Sequence, residues 1–335
     1  MPENNMPEVS IITPLYNGSK TLHETYESVM GQDYNDWEWI LYEDGSSDDT
    51  KALALKYSKD HPDKIFFYEH EGNRNHGTAY TRNRAVEKSK GEFIAFIDQD
   101  DIWYNDRLTH QIRILREHKD CSMIWSPALY WYEDRTFEQP VLMNNEKIKT
   151  GVYKPGEMVE MFLNDLRSTP LPSATIIRRS IFDKVNGFEE SVKGSEDVVL
   201  WIKTGDKFNI YFDDRIIVKY RKHFDSTLRR EHRSGKMNEW NLVFYKWVID
   251  FIKGSSYNKN IVKDYEFTYY TCLKKIAGKE GYAGSRRILK NELDKFPELK
   301  QKYSKDFILD LILPFRIASK LSAKIRFVWF KDSVE

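Results

Sequence analysis

The chain has 335 residues, 52 basic and 52 acidic side chains, 40% apolar and 14% aromatic content, and 16 Gly with 11 Pro. This excludes a disordered or collagen-like chain, and its neutrality argues against bulk nucleic-acid binding, so no nucleic-acid partner is expected. Two cysteines exclude a disulfide framework, no run of about 20 apolar residues offers a bilayer span, and Met1 to Glu8 is polar rather than leader-like, so a cytoplasmic protein is expected.

Val9 to Thr13 reads as a buried strand that Pro14 ends. Ser19 is a fair N-cap for a helix whose apolar stripe is Leu22, Tyr26, Val29 and Met30, with Gly31 as its stop. A second strand spans Glu38 to Tyr42, a helix runs from about Asp49 to Ser58, and a third strand spans Ile65 to Tyr68. Thr78 to Lys88 is helical and closed by Gly91, and Phe93 to Ile97 is a wholly apolar fourth strand. Alternating strands and helices predict parallel βαβ units, and continuous apolar strands predict a sheet covered on both faces. Ligands of such sheets bind beyond the carboxyl ends of the strands. There the chain places Pro14 to Asn17, Asp44, and Asp98 to Asp101.

Farther on, a helix is expected from Asp106 to His118 and one strand from about Ser122 to Tyr130. Ser173 to Arg178, Phe208 to Phe212 and Ile216 to Tyr220 read as strands, and Ser195 to Lys203 as a helix opened by Glu196-Asp197. The composition changes near Ser226, which divides the chain into residues 1–225 and 226–335. From Lys236 on there are 20 basic against 12 acidic residues, and before it 32 against 40. Helices are expected around Trp240 to Phe251, Glu266 to Ile276 and Gly284 to Leu293. Ile317, Leu321, Ile325 and Trp329 then form an i, i+4 stripe amid Arg316, Lys320, Lys324 and Arg326. This pattern suits a helix lying on an anionic membrane surface, and equally one docked on the enzyme body or on a second copy in a homodimer.

The chain lacks a Gly-x-Gly-x-x-Gly turn, a Walker A loop, a Gly-x-Ser-x-Gly elbow and a His-Glu-x-x-His helix. A phosphate bound at this sheet would therefore be reached through a metal ion held by acids. Asp98 and Asp100, two residues apart after a buried strand, offer hard oxygen ligands for Mn2+ or Mg2+. Such a pair can also merely begin a turn; its place after Phe93 to Ile97 favours the ligand reading. Asp44 can accept from a base imide or a ribose hydroxyl, while Asp48 and Asp49 read as first-turn acids of the following helix. Glu196-Asp197 is either a dipole-favoured helix start or a general base aimed into the crevice. His223 is a third metal ligand or a surface imidazole among basic residues. Arg82 and Arg84 either face phosphate or are solvated, and Trp125, Trp131 and Tyr132 either stack on a sugar or belong to the core.

Together these segments resemble glycosyltransferase family 2. The resemblance rests on Val9 to Asn17, Glu43-Asp44-Gly45-Ser46-Ser47-Asp48-Asp49-Thr50, Gly77 to Ala85, Gly91 to Asp101, Asn186-Gly187-Phe188 and Glu196 to Trp201. It implies an α/β GT-A fold, a Rossmann-like, mostly parallel sheet flanked by helices, here with a helical C-terminal extension. It implies an inverting, metal-dependent transfer from a nucleotide-diphosphate sugar, UDP-linked by preference, to a hydroxyl of a glycan or lipid-linked acceptor. By that likeness Pro14 and Tyr16 lie by the base, Asp44 reads uracil or ribose, and Asp98 and Asp100 hold the metal, Asp100 the more directly. Asp197 matches the catalytic base beside Glu196. Glu43 departs from the family's usual Asp. The competing classes are a nucleotidylyltransferase, whose Gly-rich, Arg-containing first loop is missing here, and a non-catalytic nucleotide-sugar-binding protein.

Overall fold

The computed structural model describes residues 6–132, 138–141, 148–222, 236–257 and 259–277. By contacts the chain divides into two compact units, Met1–Arg229 and Arg230–Glu335.

In the first unit the chain alternates strand and helix: β1 (Val9–Leu15), α1 (Leu22–Met30), β2 (Trp37–Glu43), α2 (Thr50–Asp60), β3 (Ile65–Glu69), α3 (Thr78–Lys88) and β4 (Phe93–Phe96). A short β5 (Ile102–Trp103), α4 (Arg107–Glu117), β6 (Cys121–Trp125), β7 (Ala128–Tyr132), β8 (Glu138–Val141), β9 (Gly151–Tyr153) and α5 (Glu157–Asn164) follow. The unit continues through β10 (Thr175–Arg178), α6 (Arg179–Lys184), α7 (Glu196–Lys207), β11 (Asn209–Phe212) and β12 (Val218–Lys222). The larger sheet has the order β3-β2-β1-β4-β10-β6-β11-β9. Strands β3, β2, β1 and β4 pair in parallel, β10 is antiparallel between β4 and β6, and β11 is again parallel to β6. A smaller sheet has the order β5-β12-β7-β8.

Successive strand residues face opposite sides, so a fully apolar strand supplies two cores. Val9, Ile11, Trp39, Leu41, Phe93 and Ala95 fill one side with Leu22 and Val29 of α1 and Leu108 and Ile112 of α4. Ile12, Ile40, Ile94 and Phe96 fill the other with Ala85 and Val86 of α3 and Leu200 and Trp201 of α7. The strands are thereby fixed from both faces, and the loops at their carboxyl ends stand on a rigid base.

Four sequence expectations need correction. Pro14 does not end β1; it continues to Leu15, with Pro14 opposite Tyr42. Ile12 accepts from Ile97 on the β4 side, and β1–β4 register stops at Ile12–Phe96. Two residues on, the nitrogen of Pro14 faces that same side, where no ladder donor is needed. Ser19 does not cap α1: Thr21 holds the N-cap position, and the Ser19 N–H donates to Asp48 at 3.1 Å. The single strand expected over Ser122 to Tyr130 is two strands in different sheets, broken at Ser126-Pro127, where proline withholds a donor. Residues 172–174 form a 3-10 turn before β10 rather than its start. Strand β9 and helix α5 carry no motif and follow from no sequence pattern singled out above. Trp125 is fully buried in the core, which settles its role as packing.

In the second unit, α8 (Met237–Lys253) and α9 (Lys259–Ala277) pack on each other, burying Phe244, Val248, Ile249 and Ile252 with Tyr269, Tyr270 and Leu273. Lys253 pairs with buried Glu266 at 2.8 Å. Among the described residues no helix is long and apolar enough to cross a membrane. The expected helix at Gly284 to Leu293 and the basic amphipathic stretch from Arg316 lie outside the described residues.

Candidate active site

Parallel strands β1, β2 and β4 deliver Tyr16, Asp44 and Asp98 to the same sheet edge. The loops after β1 and β2 are sewn together. Asn17, in a left-handed conformation at φ 51°, donates its N–H to Ser46 Oγ at 2.9 Å and accepts the Ser47 N–H at 2.8 Å. Gly18 N–H donates to Thr50 Oγ1 at 2.7 Å. Asp48 accepts from Ser19 and, at 3.1 Å, from the Thr50 N–H at the start of α2. The helix begins at Thr50 with Asp49 at its N-cap and no acid in its first turn, so Asp48 is a tie between loops rather than the expected first-turn acid, and these bonds hold its carboxyl below the ordinary value against the opposing effect of burial.

Asp44 is buried, and its two oxygens accept the N–H groups of His76 and Gly77 at 2.7 and 3.0 Å. His70 Nε2 stands 3.5 Å from the same carboxylate. The Asp44 carboxylate thus shapes the loop that leads into α3. Rings gather around it: His70 lies 4.7 Å from Tyr42 and 4.6 Å from His76, which stacks on Tyr80 at 4.7 Å. Burial holds His70 toward its neutral form. Glu43 is wholly buried and closes the turn by accepting the Ser46 N–H; burial pushes its carboxyl above the ordinary range.

At the mouth of β4, Asp98 and Asp100 are half-buried and Asp101 is wholly buried. The Asp98 N–H donates to Ser173 Oγ at 3.0 Å, and Ser173 in turn accepts through its carbonyl from Trp103 Nε1 at 2.9 Å. Asp101 accepts the Arg221 N–H at 3.0 Å, and Arg221 Nε donates to the Asp100 carbonyl at 2.9 Å. Arg221 also covers the Trp131 ring at 4.1 Å and pairs with Glu24 at 2.9 Å. Strand β12 therefore ends against the acidic loop. His223 follows immediately, outside the described residues, as is the side chain of Tyr132.

Arg82 joins the two acidic motifs. Its guanidinium is buried, donates through Nη1 to Glu196 at 3.1 Å, and forms a close ion pair through Nη2 with Asp98. Residues 82, 98 and 196 come from α3, the end of β4 and the start of α7, so only the closed sheet brings them together. Arg84 lies elsewhere on α3 and pairs with Glu87 and Glu190, at 2.8 and 3.3 Å. Asp197, beside Glu196, accepts the Val198 N–H at 2.9 Å. Burial first, and then the neighbouring Glu196, push its carboxyl up to about 7, against the opposing pull of Arg82.

The sequence model described as Glycosyl transferase family 2 matches residues 10–185. The chain belongs to this family. An uncharacterized glycosyltransferase of Rickettsia typhi is 30% identical over 219 residues, 65% of this chain. The chain spans just under two thirds, 64%, of that relative's length. The UDP-Glc:alpha-D-GlcNAc-diphosphoundecaprenol beta-1,3-glucosyltransferase WfgD of Escherichia coli is 39% identical over 107 residues, 32% of this chain and 40% of its own. In fold, the chain is similar to S. aureus TarS 1–349 crystallised with UDP-GlcNAc, with a TM-score of 0.64, 16% identity and coverage of 91% and 90%. The architecture is accordingly the GT-A fold.

Within the family frame, the loops after β1, β2 and β4 and the start of α7 are linked through Asp44, Asp48 and Arg82, while Phe188 is held to Asn83 of α3. Three contributors carry no motif and escaped the reading from sequence: Ser173 under Asp98, Arg221 over Asp100 and Asp101, and His70 beside Asp44. Arg221 stands two residues before His223 in a basic run, the only sequence signal for it. Among the described residues no group of three or more His, Cys, Asp or Glu is arranged to hold a metal ion. Magnesium and manganese commonly take one or two carboxylates and complete their shell with water and substrate phosphate. The hard-oxygen pair Asp98 and Asp100 fits that requirement.

Proposed function

We propose that this protein is an inverting glycosyltransferase. It moves a sugar, from a UDP-sugar by preference, to a hydroxyl of a glycan or lipid-linked acceptor in cell-surface polysaccharide synthesis. The observation that carries the reading is the Arg82 bridge from Asp98 to Glu196, which sets a phosphate-side acid loop beside a carboxylate suited to proton removal. The donor class draws support from the UDP-GlcNAc bound to TarS and the UDP-Glc in the name of WfgD.

On this reading Pro14 and Tyr16 flank the nucleobase, and Asp44 orders the loop that faces the base and ribose. Asp98 and Asp100 would hold Mn2+ or Mg2+, with His223 as a further ligand. When bound, the cation offsets the negative charge that develops on the departing diphosphate. The acceptor hydroxyl attacks the anomeric carbon from the side opposite the diphosphate. Its proton passes to an Asp197 carboxylate oxygen as the new C–O bond forms. The bond from the anomeric carbon to the diphosphate breaks, and its electron pair leaves with the nucleoside diphosphate. One displacement with one base inverts the anomeric centre. A basic C-terminal helix at an anionic membrane surface would bring the enzyme to a lipid-linked acceptor, and a homodimer would use the same face differently.

The reading is tested by a thermal-shift panel of nucleotide sugars with Mn2+ or Mg2+, followed by product analysis with the best donor. Stabilisation by a nucleotide sugar and an inverted product are expected; no stabilisation by any donor would overturn the reading. Asp100→Ala should remove the metal-dependent part of UDP binding in calorimetry. Binding that stays equally metal-dependent would show that Asp100 is not the ligand.

A further inference from the structure

The middle residue of Asp98-Gln99-Asp100 has no part in the chemistry above, yet it joins two loops of the crevice directly. Gln99 Oε1 accepts the Tyr16 N–H at 3.0 Å, and Gln99 Nε2 donates to the Tyr16 carbonyl at 2.7 Å. One side-chain amide on the β4 loop therefore takes both backbone groups of one residue on the β1 loop. An amide side chain supplies a neutral donor and acceptor side by side at neutral pH, where an ionised carboxylate offers only acceptors. Main-chain register between β1 and β4 stops at Ile12–Phe96, so Gln99 continues the link past the point where the strands separate.

Gly18 makes the room for this contact. A Cβ at residue 18 would lie 2.2 Å from Gln99 Cδ and 2.3 Å from its Oε1. A flexible glutamine could swing away from such a methyl, but only by leaving the Tyr16 backbone. Beyond Gly18 the same loop is tied to the β2 loop through Asn17–Ser46 and Gly18–Thr50. Gln99 thus connects the acid loop to the loops around Asp44.

We propose that Gln99 is a positioning residue that orders the Tyr16 loop and the Asp98–Asp100 loop as one piece, so that a divalent cation at the acids strengthens nucleoside binding at the far loop. The proposal rests on the donor-site reading above. Ordering loop residues costs conformational entropy, about 1–2 kcal/mol per backbone residue. A ligand that orders one loop lowers the cost for a second ligand only if the loops are joined. The resulting coupling is reciprocal.

Uridine tests this cleanly, because it has no phosphate to bridge to a metal. In the wild-type protein, saturating Mn2+ is expected to raise uridine affinity roughly 5- to 10-fold by calorimetry, the lower end of typical coupling between two sites. In Gln99→Ala that factor should fall to about one, and the Tyr16 amide should exchange faster in the ligand-free protein. Gln99→Glu should behave like Gln99→Ala at neutral pH, since it turns the donor toward the Tyr16 carbonyl into an acceptor. Gly18→Ala, which keeps the glutamine in the sequence but pushes its amide off the Tyr16 backbone, should reproduce the same uncoupling and guards against a folding defect in either Gln99 variant. An unchanged Mn2+ effect on uridine, or unchanged Tyr16 exchange, in Gln99→Ala overturns the proposal. If the wild-type protein binds neither uridine nor UDP with Mn2+, the functional reading fails, while the exchange comparison still decides whether Gln99 holds the loop.

Discussion

Asp197→Asn is expected to lower turnover with the best donor and acceptor by about 10²–10⁴-fold, the range for removal of a general base. The amide keeps the size of the carboxylate and can still accept the Val198 N–H, so the start of α7 should stand. UDP affinity with Mn2+ should change little, because in the proposed mechanism the lost group serves the acceptor and not the nucleotide. The wild-type pH profile carries an independent signature. Burial and Glu196 raise the Asp197 carboxyl to about 7, so the protonated form dominates below that pH and cannot take a proton. The limb of kcat/KM governed by the free enzyme should therefore rise about tenfold per pH unit up to about 7 and flatten above it. Comparable turnover in Asp197→Asn, or a flat profile between pH 5 and 8, would remove Asp197 from the role.

Arg82→Met is expected to cost about 3 kcal/mol of stability, toward the lower end of what breaking a buried ion pair costs, because Asp98 is partly open to water. Arg82 is 3% exposed and Glu196 6%, so water cannot replace the missing partner of Glu196. For a unit of this size the loss corresponds to a fall of roughly 6–12 °C in Tm. Methionine matches much of the arginine's volume, so an unpaired acid rather than a cavity should dominate. Adding Glu196→Gln to Arg82→Met should then restore part of the loss. A double variant no more stable than Arg82→Met would mean that packing, including the 5.3 Å approach of Arg82 to the Phe188 ring, matters more than charge. Activity should fall in both variants, since Asp98 and α7 lose their common anchor.

The strands were legible wherever apolar runs were long. Phe93 to Ile97 admits no exposed face, and Val9 to Thr13 is nearly as restrictive, so both could be read as interior strands. The helix expected over Thr78 to Lys88 has those ends in the structure. Element ends failed where a turn residue was judged alone. Pro14 stays inside its strand because a neighbouring strand has already turned away, and that is a fact about β4, not about proline. Ser126-Pro127 moves the chain from one sheet to another, which a local pattern cannot distinguish from a bend. Trp125 looked the same from sequence as a sugar-stacking tryptophan, and only its neighbours place it in the core.

Sequence alone determined the layered α/β architecture and the acids offered at the carboxyl ends of its strands, because side-chain periodicity and the burial of apolar runs are local properties. Tertiary structure alone decided which of those acids share a partner. Arg82 reaches Asp98 and Glu196 across 16 and 114 positions of chain, and Gln99 reaches Tyr16 across 83. Buried charges and amides must find partners when water is excluded. Which partner lies within reach is set by the order in which strands enter the sheet, and that order is written in no single segment.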